Sequence, residues 1–149
     1  GGPKSAPPEA PPAQAEEGPP AETGNEAVLR MLAALQKEGR FIDFLQEDLT
    51  AYDDAQVGAA VRPIHDGCRQ ALRERITLER IYNQDEGSEI VVAEGFDPAH
   101  IRLTGNLQGV PPFRGTLQHS GWRATRVDLP KTSADLDAKV LAPAEVEVE

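Results

Sequence analysis

The chain has 149 residues, a formal net charge of −10 and a single cysteine. An intrachain disulfide is therefore impossible, and an acidic chain without a clustered Lys/Arg surplus argues against a nucleic-acid partner, whose phosphates need such a surface. The length is that of one domain, and the ordered part, about 125 residues from Asn25 onward, is large enough to bury roughly two-thirds of its unfolded surface without staples.

Residues 1–24 are a Pro/Ala/Glu-rich segment, GGPKSAPPEAPPAQAEEGPPAETG, with almost nothing to bury. It is expected to be a disordered linker, extended by its prolines and able to reach roughly 70 Å at ~3.1 Å per residue. It reads equally as a tether or as a functionless tail. The chain opens with Gly-Gly rather than Met, so an upstream targeting or membrane segment stays open. No apolar run of spanning length and no signal peptide is visible.

Residues 25–149 are expected to form a single α+β domain, with N-terminal helices (about 25–82) packed on a small, mostly antiparallel β-sheet (about 88–149). Thr23 and Glu26 have capping-box spacing, and Val28, Leu32 and Leu35 give a helix over about Asn25–Glu38, closed by Gly39 as a left-handed C-cap. A short helix from Arg40 to Leu49 follows, with Phe41, Ile42, Leu45 and Leu49 on one face and Asp43, Gln46, Glu47 and Asp48 opposite. Asp53 reads as the N-cap of a third helix, with Gln56 reaching back to it and Tyr52 stapled on Val57. That helix is expected to run to about Glu79, kinked at Pro63, with Val57, Val61, Ile64, Cys68 and Leu72 as its core stripe and Arg62, Arg69, Arg73 and Arg80 on a salt-laced face around Asp66.

After Asn83 the period becomes alternating. Strands are expected at Glu89–Ala93, Ile101–Leu107, Phe113–His119 and Trp122–Leu129, with Ser120-Gly121 as a hairpin turn between the last two and Ala144–Glu149 as an edge strand. Trp122 is expected to cap the core.

Candidate chemistry is sparse. His65 and Cys68 lie i, i+3 on the third helix, but metal sites need three or four convergent ligands and the other histidines fall in the β region, so the pair is only a weak alternative site. Gly105, Gly109 and Gly115 precede no helix, which removes a phosphate loop, and no cofactor and no catalytic residue are expected. Asp43, Glu47 and Asp48 form the candidate interaction surface. Two readings stay open for it: a solvated, solubilising face, or the contact for a basic partner.

The segments GRFIDFLQEDL, DAQVGAAVRPIHDGCR, GFDPAHIRLTGN, PPFRGTLQHSGWRA and LAPAEVEVE together resemble the bacterial family catalogued as domain of unknown function (DUF) family 2760, over about Ala27–Glu149. The resemblance carries no catalytic residue onto this chain. It implies encoding beside relatives of the seventy-kilodalton heat-shock chaperones, hence a chaperone-like protein partner, and an apolar segment ahead of the linker that this sequence does not contain. The expected function is a non-enzymatic interaction or accessory module in the bacterial cytoplasm, with membrane tethering only through such an upstream segment. The alternative is a small hydrolase or ligand-binding domain using a helix–sheet cleft; the oligomeric state stays open. Deleting residues 1–22 is expected to leave the thermal midpoint unchanged, and a drop of several degrees would show that the segment packs on the domain.

Overall fold

Helix α1 spans Gly24–Gly39 in the computed structural model, which describes residues 24–130 and 137–149. Residues 1–23 of the expected linker, Thr23 included, lie outside the described residues, while Gly24, also assigned to the linker, begins α1. Helices occupy the first half of the described chain and antiparallel strands the second, so the fold class is α+β. The described chain groups into two compact units: residues 24–72 together with those from Leu129 onward, and Arg73–Asp128 between them.

In the helical unit, α1 is followed by α2 (Phe41–Gln46), a 3₁₀ turn (Leu49–Ala51) and α3 (Asp54–Arg75). The capping box forms as the spacing predicts: the Asp53 carboxylate accepts from the Gln56 N–H at 2.8 Å, and the Gln56 amide oxygen accepts from the Asp53 N–H at 2.9 Å. The α3 stripe is also as expected, with Val57, Val61, Ile64, Cys68 and Leu72 all half-buried. Pro63 sits inside this single helix, so the backbone bond it cannot donate is tolerated without dividing it.

Small residues bring α1 and α3 together. Among the described residues, the buried positions of the helical unit are Ala34, Gly39 and Ala71. A Cβ on Gly39 would overlap the Cys68 sulfur and stand 2.6 Å from the Cys68 nitrogen; one on Gly67 would overlap the Glu38 carbonyl and stand 2.7 Å from the Gly39 Cα. The two backbones touch because neither residue has a side chain. Gly39 is thus helical and committed to packing, and the left-handed turn expected of it falls on Arg40, at φ 53° and ψ 36°. A non-glycine residue there costs about 1–2 kcal/mol.

That turn redirects the chain into α2, which is shorter than expected: Asp48 is extended (φ −85°, ψ 104°) and ends the run before Leu49. The helix has no buried residue, and Leu45 is 59% exposed, so the Phe41/Ile42/Leu45/Leu49 core face is corrected: Phe41, Ile42 and Phe44 are half-buried, while Leu45 and Leu49 face water. Val28 of the expected α1 stripe is exposed as well. Further along, Arg30 Nη2 of α1 donates to the Leu129 carbonyl at 2.9 Å, tying the returning chain to the same unit.

The second unit is a long antiparallel ribbon. Strand β1 (Ile76–Arg80) pairs with β4 (Trp122–Val127), and β2 (Glu89–Val92) pairs with β3 (Phe113–Thr116). Between the ladders, Ile81 and Tyr82 N–H groups donate to the Gly121 and Ser120 carbonyls, and Gly87 and Leu117 N–H groups to Leu117 and Ser88, so the two arms stay side by side around the 83–86 excursion. Asp128 N–H donates to the Arg75 carbonyl at 2.7 Å and closes the base. Ile90, Val92 and Leu117 form the core, covered by Tyr82, Phe96, Ile101, Leu103 and Phe113.

Several expectations are corrected by this topology. Residues 76–80 are strand rather than helix, which removes Arg80 from the helical arginine face; β4 supplies a ladder partner for the β-branched Ile76 and Thr77, and tertiary pairing overrides the helical period. Ser120-Gly121 is no hairpin turn, since β3 and β4 pair with different strands. Residues 101–107 form no strand: the Asp97 carbonyl takes the His100 and Ile101 N–H groups in a turn, and Gly105 adopts φ 90°. Residues 144–149 are not strand either; Val146 and Val148 are 81% and 86% exposed, with no ladder to join. Trp122 is 64% exposed and stacks under the Arg80 guanidinium at 5.6 Å instead of capping the core.

The glycine crossing yields a paired test on one helix. Gly67→Ala should destabilise by about 1–3 kcal/mol or more, because the added carbon meets backbone that cannot rotate away. Gly58→Ala, with nothing within 4 Å of its Cβ position, should instead stabilise by up to about 1 kcal/mol. Urea melts that gave both variants the same sign would refute the crossing.

Candidate functional site: a groove in the helical unit

The crossing and the Arg40 turn leave α2 and the 3₁₀ turn standing off α3, with a groove of about 540 Å³ between them. Phe44, Leu49, Val57, Ala60, Pro63 and Ile64 supply its apolar lining; Glu38, Arg40, Asp43, Glu47, Tyr52 and Gln56 supply the polar one. Phe44, Val57 and Ile64 are half-buried and lie deep, whereas Arg40, Asp43, Glu47, Leu49 and Tyr52 are exposed and form the lip.

The lip is held by local hydrogen bonds. Arg40 offers no side-chain cap to α2; Gln36 of α1 does this instead, its amide oxygen accepting from the Ile42 and Asp43 N–H groups at 2.9 and 3.2 Å. Its amide nitrogen donates to Asp43 Oδ2 at 2.9 Å, where Arg40 Nε and Nη2 also arrive, each at 3.1 Å. The Gln36 bond first and the Arg40 bond second hold the Asp43 carboxyl below the usual carboxylate range. Tyr52 donates its hydroxyl to Glu47 Oε1 at 2.8 Å, and that carboxylate pushes the phenol upward from its ordinary value. Asp48 caps the 3₁₀ turn, accepting from the Thr50 hydroxyl at 2.6 Å and the Thr50 N–H at 3.0 Å, which lowers its carboxyl in the same order of importance.

The candidate acidic residues therefore divide. Asp43 and Glu47 line the groove on the same side as Phe44, rather than forming the back of an apolar helix, while Asp48 serves the turn. His65 and Cys68 meet different partners. His65 is exposed, its Nδ1 3.4 Å from Asp66 Oδ1, so Asp66 meets the histidine rather than Arg62 or Arg69. The Cys68 thiol points at the Gly39 carbonyl at 3.9 Å, and burial pushes its pKa up, away from thiolate reactivity. Among the described residues, no three His, Cys, Asp or Glu side chains converge as a metal site, and no helix is long and apolar enough to cross a membrane.

A family model described as Domain of unknown function (DUF2760) matches residues 24–147. The chain belongs to that family. The DUF2760 match takes in the whole groove together with the ribbon and the returning segment. No curated protein and no solved structure matches the chain. In this DUF2760 domain the acidic pattern points to Asp43 and Glu47, which line the groove, but not to Phe44, Leu49 and Tyr52 beside them or to Gln36, which holds Asp43 from α1. The available signal was glycine at 39 and 67, a pair that lets two helices touch and leaves the intervening segment to bridge the gap.

A titration checks the lip. Because the Asp43 carboxyl is depressed in the folded state, its bonds contribute stability that is present above the unfolded-state pKa and lost as pH falls through the lower folded value. The Tyr52 phenol is raised, so its bond contributes below the unfolded-state value and is lost as pH rises through the folded one. In NMR titrations, Gln36→Leu should move the Asp43 midpoint up and Glu47→Gln should move the Tyr52 midpoint down. Unchanged midpoints would show that these bonds do not form in solution.

Proposed function

We propose that the chain is a non-enzymatic interaction module that docks a polypeptide segment in the groove of its helical unit and acts as an accessory to a larger assembly. The observation that carries this reading is the groove itself. Its deep positions are apolar and half-buried, its lip exposes Leu49 and Tyr52, and its polar groups stand at the lip in local hydrogen bonds instead of converging on a point inside. Small-molecule sites combine an enclosed apolar pocket with a few inward polar groups; an apolar channel with a charged lip is the pattern by which helices receive an amphipathic segment. A chaperone of the heat-shock type is the first partner to try, on the strength of the family resemblance.

The test is binding of a purified chaperone of that type, and copurification from the native host, by the wild type and by Leu49→Gln/Tyr52→Ser, which changes only exposed lip residues. Trp122→Ser on the ribbon is the control. Binding should be lost in the lip variant, with its circular dichroism unchanged, and retained in the control. A partner kept by the lip variant and lost by Trp122→Ser would move the interaction to the ribbon and refute the groove.

A further inference from the structure

Resting on the reading of the groove as a docking site, we propose that its occupant is a basic amphipathic polypeptide segment whose apolar side chains enter between α2 and α3 and whose arginine meets Asp43 and Glu47 at the lip. Charge complementarity selects this class. From Glu38 to Val57 the chain carries Glu38, Asp43, Glu47, Asp48, Asp53 and Asp54 against Arg40 alone, and the carboxylates at 38, 43 and 47 line the groove. Arg40 is already committed to Asp43. An acidic or neutral apolar segment would bury its side chains beside a net excess of negative charge, while a basic one would offset it.

The acceptors are arranged for a guanidinium. All three donors to Asp43, the Gln36 amide and the two Arg40 nitrogens, arrive at Oδ2, and among the described residues nothing donates to Oδ1. Tyr52 likewise takes Glu47 Oε1 and leaves Oε2 without a donor among the described residues. Asp43 belongs to α2 and Glu47 is its C-cap, and both line the same groove. Each carboxylate is thus oriented by a neighbour while one oxygen stays available to solvent. A planar fork of N–H donors can span two such oxygens, whereas the ammonium of lysine acts as a point charge. The apolar positions Phe44, Val57 and Ile64 meanwhile give the leucine or phenylalanine side chains of such a segment somewhere to be buried.

The probes are three labelled synthetic peptides of about four helical turns with one leucine pattern and arginine, glutamine or glutamate at the flanking positions, titrated by fluorescence anisotropy against the full chain. The arginine peptide should bind at least roughly tenfold tighter than the glutamine peptide at low salt, as one charge-assisted contact predicts. Its association rate should fall as salt rises. Backbone amide shifts should move within residues 38–64. Asp43→Asn/Glu47→Gln should erase the preference for arginine, so that the arginine and glutamine peptides bind alike. Glu145→Gln/Glu147→Gln, which removes the same formal charge from residues that do not line the groove, should keep the preference and so separates a local contact from net charge. Should the double lip variant fail to fold, the single Glu47→Gln variant reads the same loss in part. Equal binding of the arginine and glutamine peptides would overturn the basic selectivity but leave the groove as a docking site. Binding that shifts amides only outside 38–64, or no binding by any peptide, would overturn both.

Discussion

Backbone meets backbone where α1 crosses α3, and the helical unit is arranged around that contact. Helices normally pack through side chains that keep their axes about 8–10 Å apart. Here Gly39 and Gly67 remove the intervening carbons, and the Glu38 carbonyl lies where a Gly67 side chain would begin. Because Gly39 is needed for the approach, the chain reversal moves to Arg40, a residue that adopts the left-handed conformation at some cost. Gln36 then satisfies the first N–H groups of α2 from the preceding helix and grips Asp43 at the same time. The groove is a product of this sequence of constraints: close packing at one end holds the helices together, while the short redirected segment at the other stands off α3.

Legibility in the sequence followed the range of the forces involved. The capping box at Asp53 and Gln56 is local, three residues apart, and the spacing alone located both hydrogen bonds. The α3 stripe is local too, and its phase carried through Pro63. What failed was pairing at a distance. Ile76–Arg80 continues an acceptable helical pattern, and only β4, which comes back some fifty positions later, makes it a strand. Ile101–Leu107 and Ala144–Glu149 alternate as strands do and have no ladder to complete. A period-2 pattern states which side chains share a face, not whether a neighbouring strand exists to accept the backbone bonds.

At the candidate site the sequence located the charges and mislocated their surroundings. Asp43 and Glu47 were recognisable as exposed acids on a short helix, but the helix was assigned a core face through Leu45, which points to water. The true inward contact on that turn is Phe44, adjacent to Asp43, so acid and apolar lining share a side. The rotation of a six-residue helix is decided by its two ends, and here those ends are set by Gln36, from another helix, and by Asp48, which caps the next turn. Neither interaction has a periodicity to read.

The Arg30 bond to the Leu129 carbonyl spans 99 positions of sequence, and the ribbon is threaded between its two partners. The helical unit is therefore discontinuous along the chain: its last segment is translated only after the entire ribbon. During synthesis α1 and α3 can meet through their glycines, but the clasp from α1 must wait for residues that arrive at the end. The Asp128 to Arg75 bond brings the entry and exit of the ribbon to one point, one residue before the clasp. Such an arrangement makes the ribbon a closed excursion, the part of the chain that could be lengthened, shortened or exchanged without touching a residue that lines the groove.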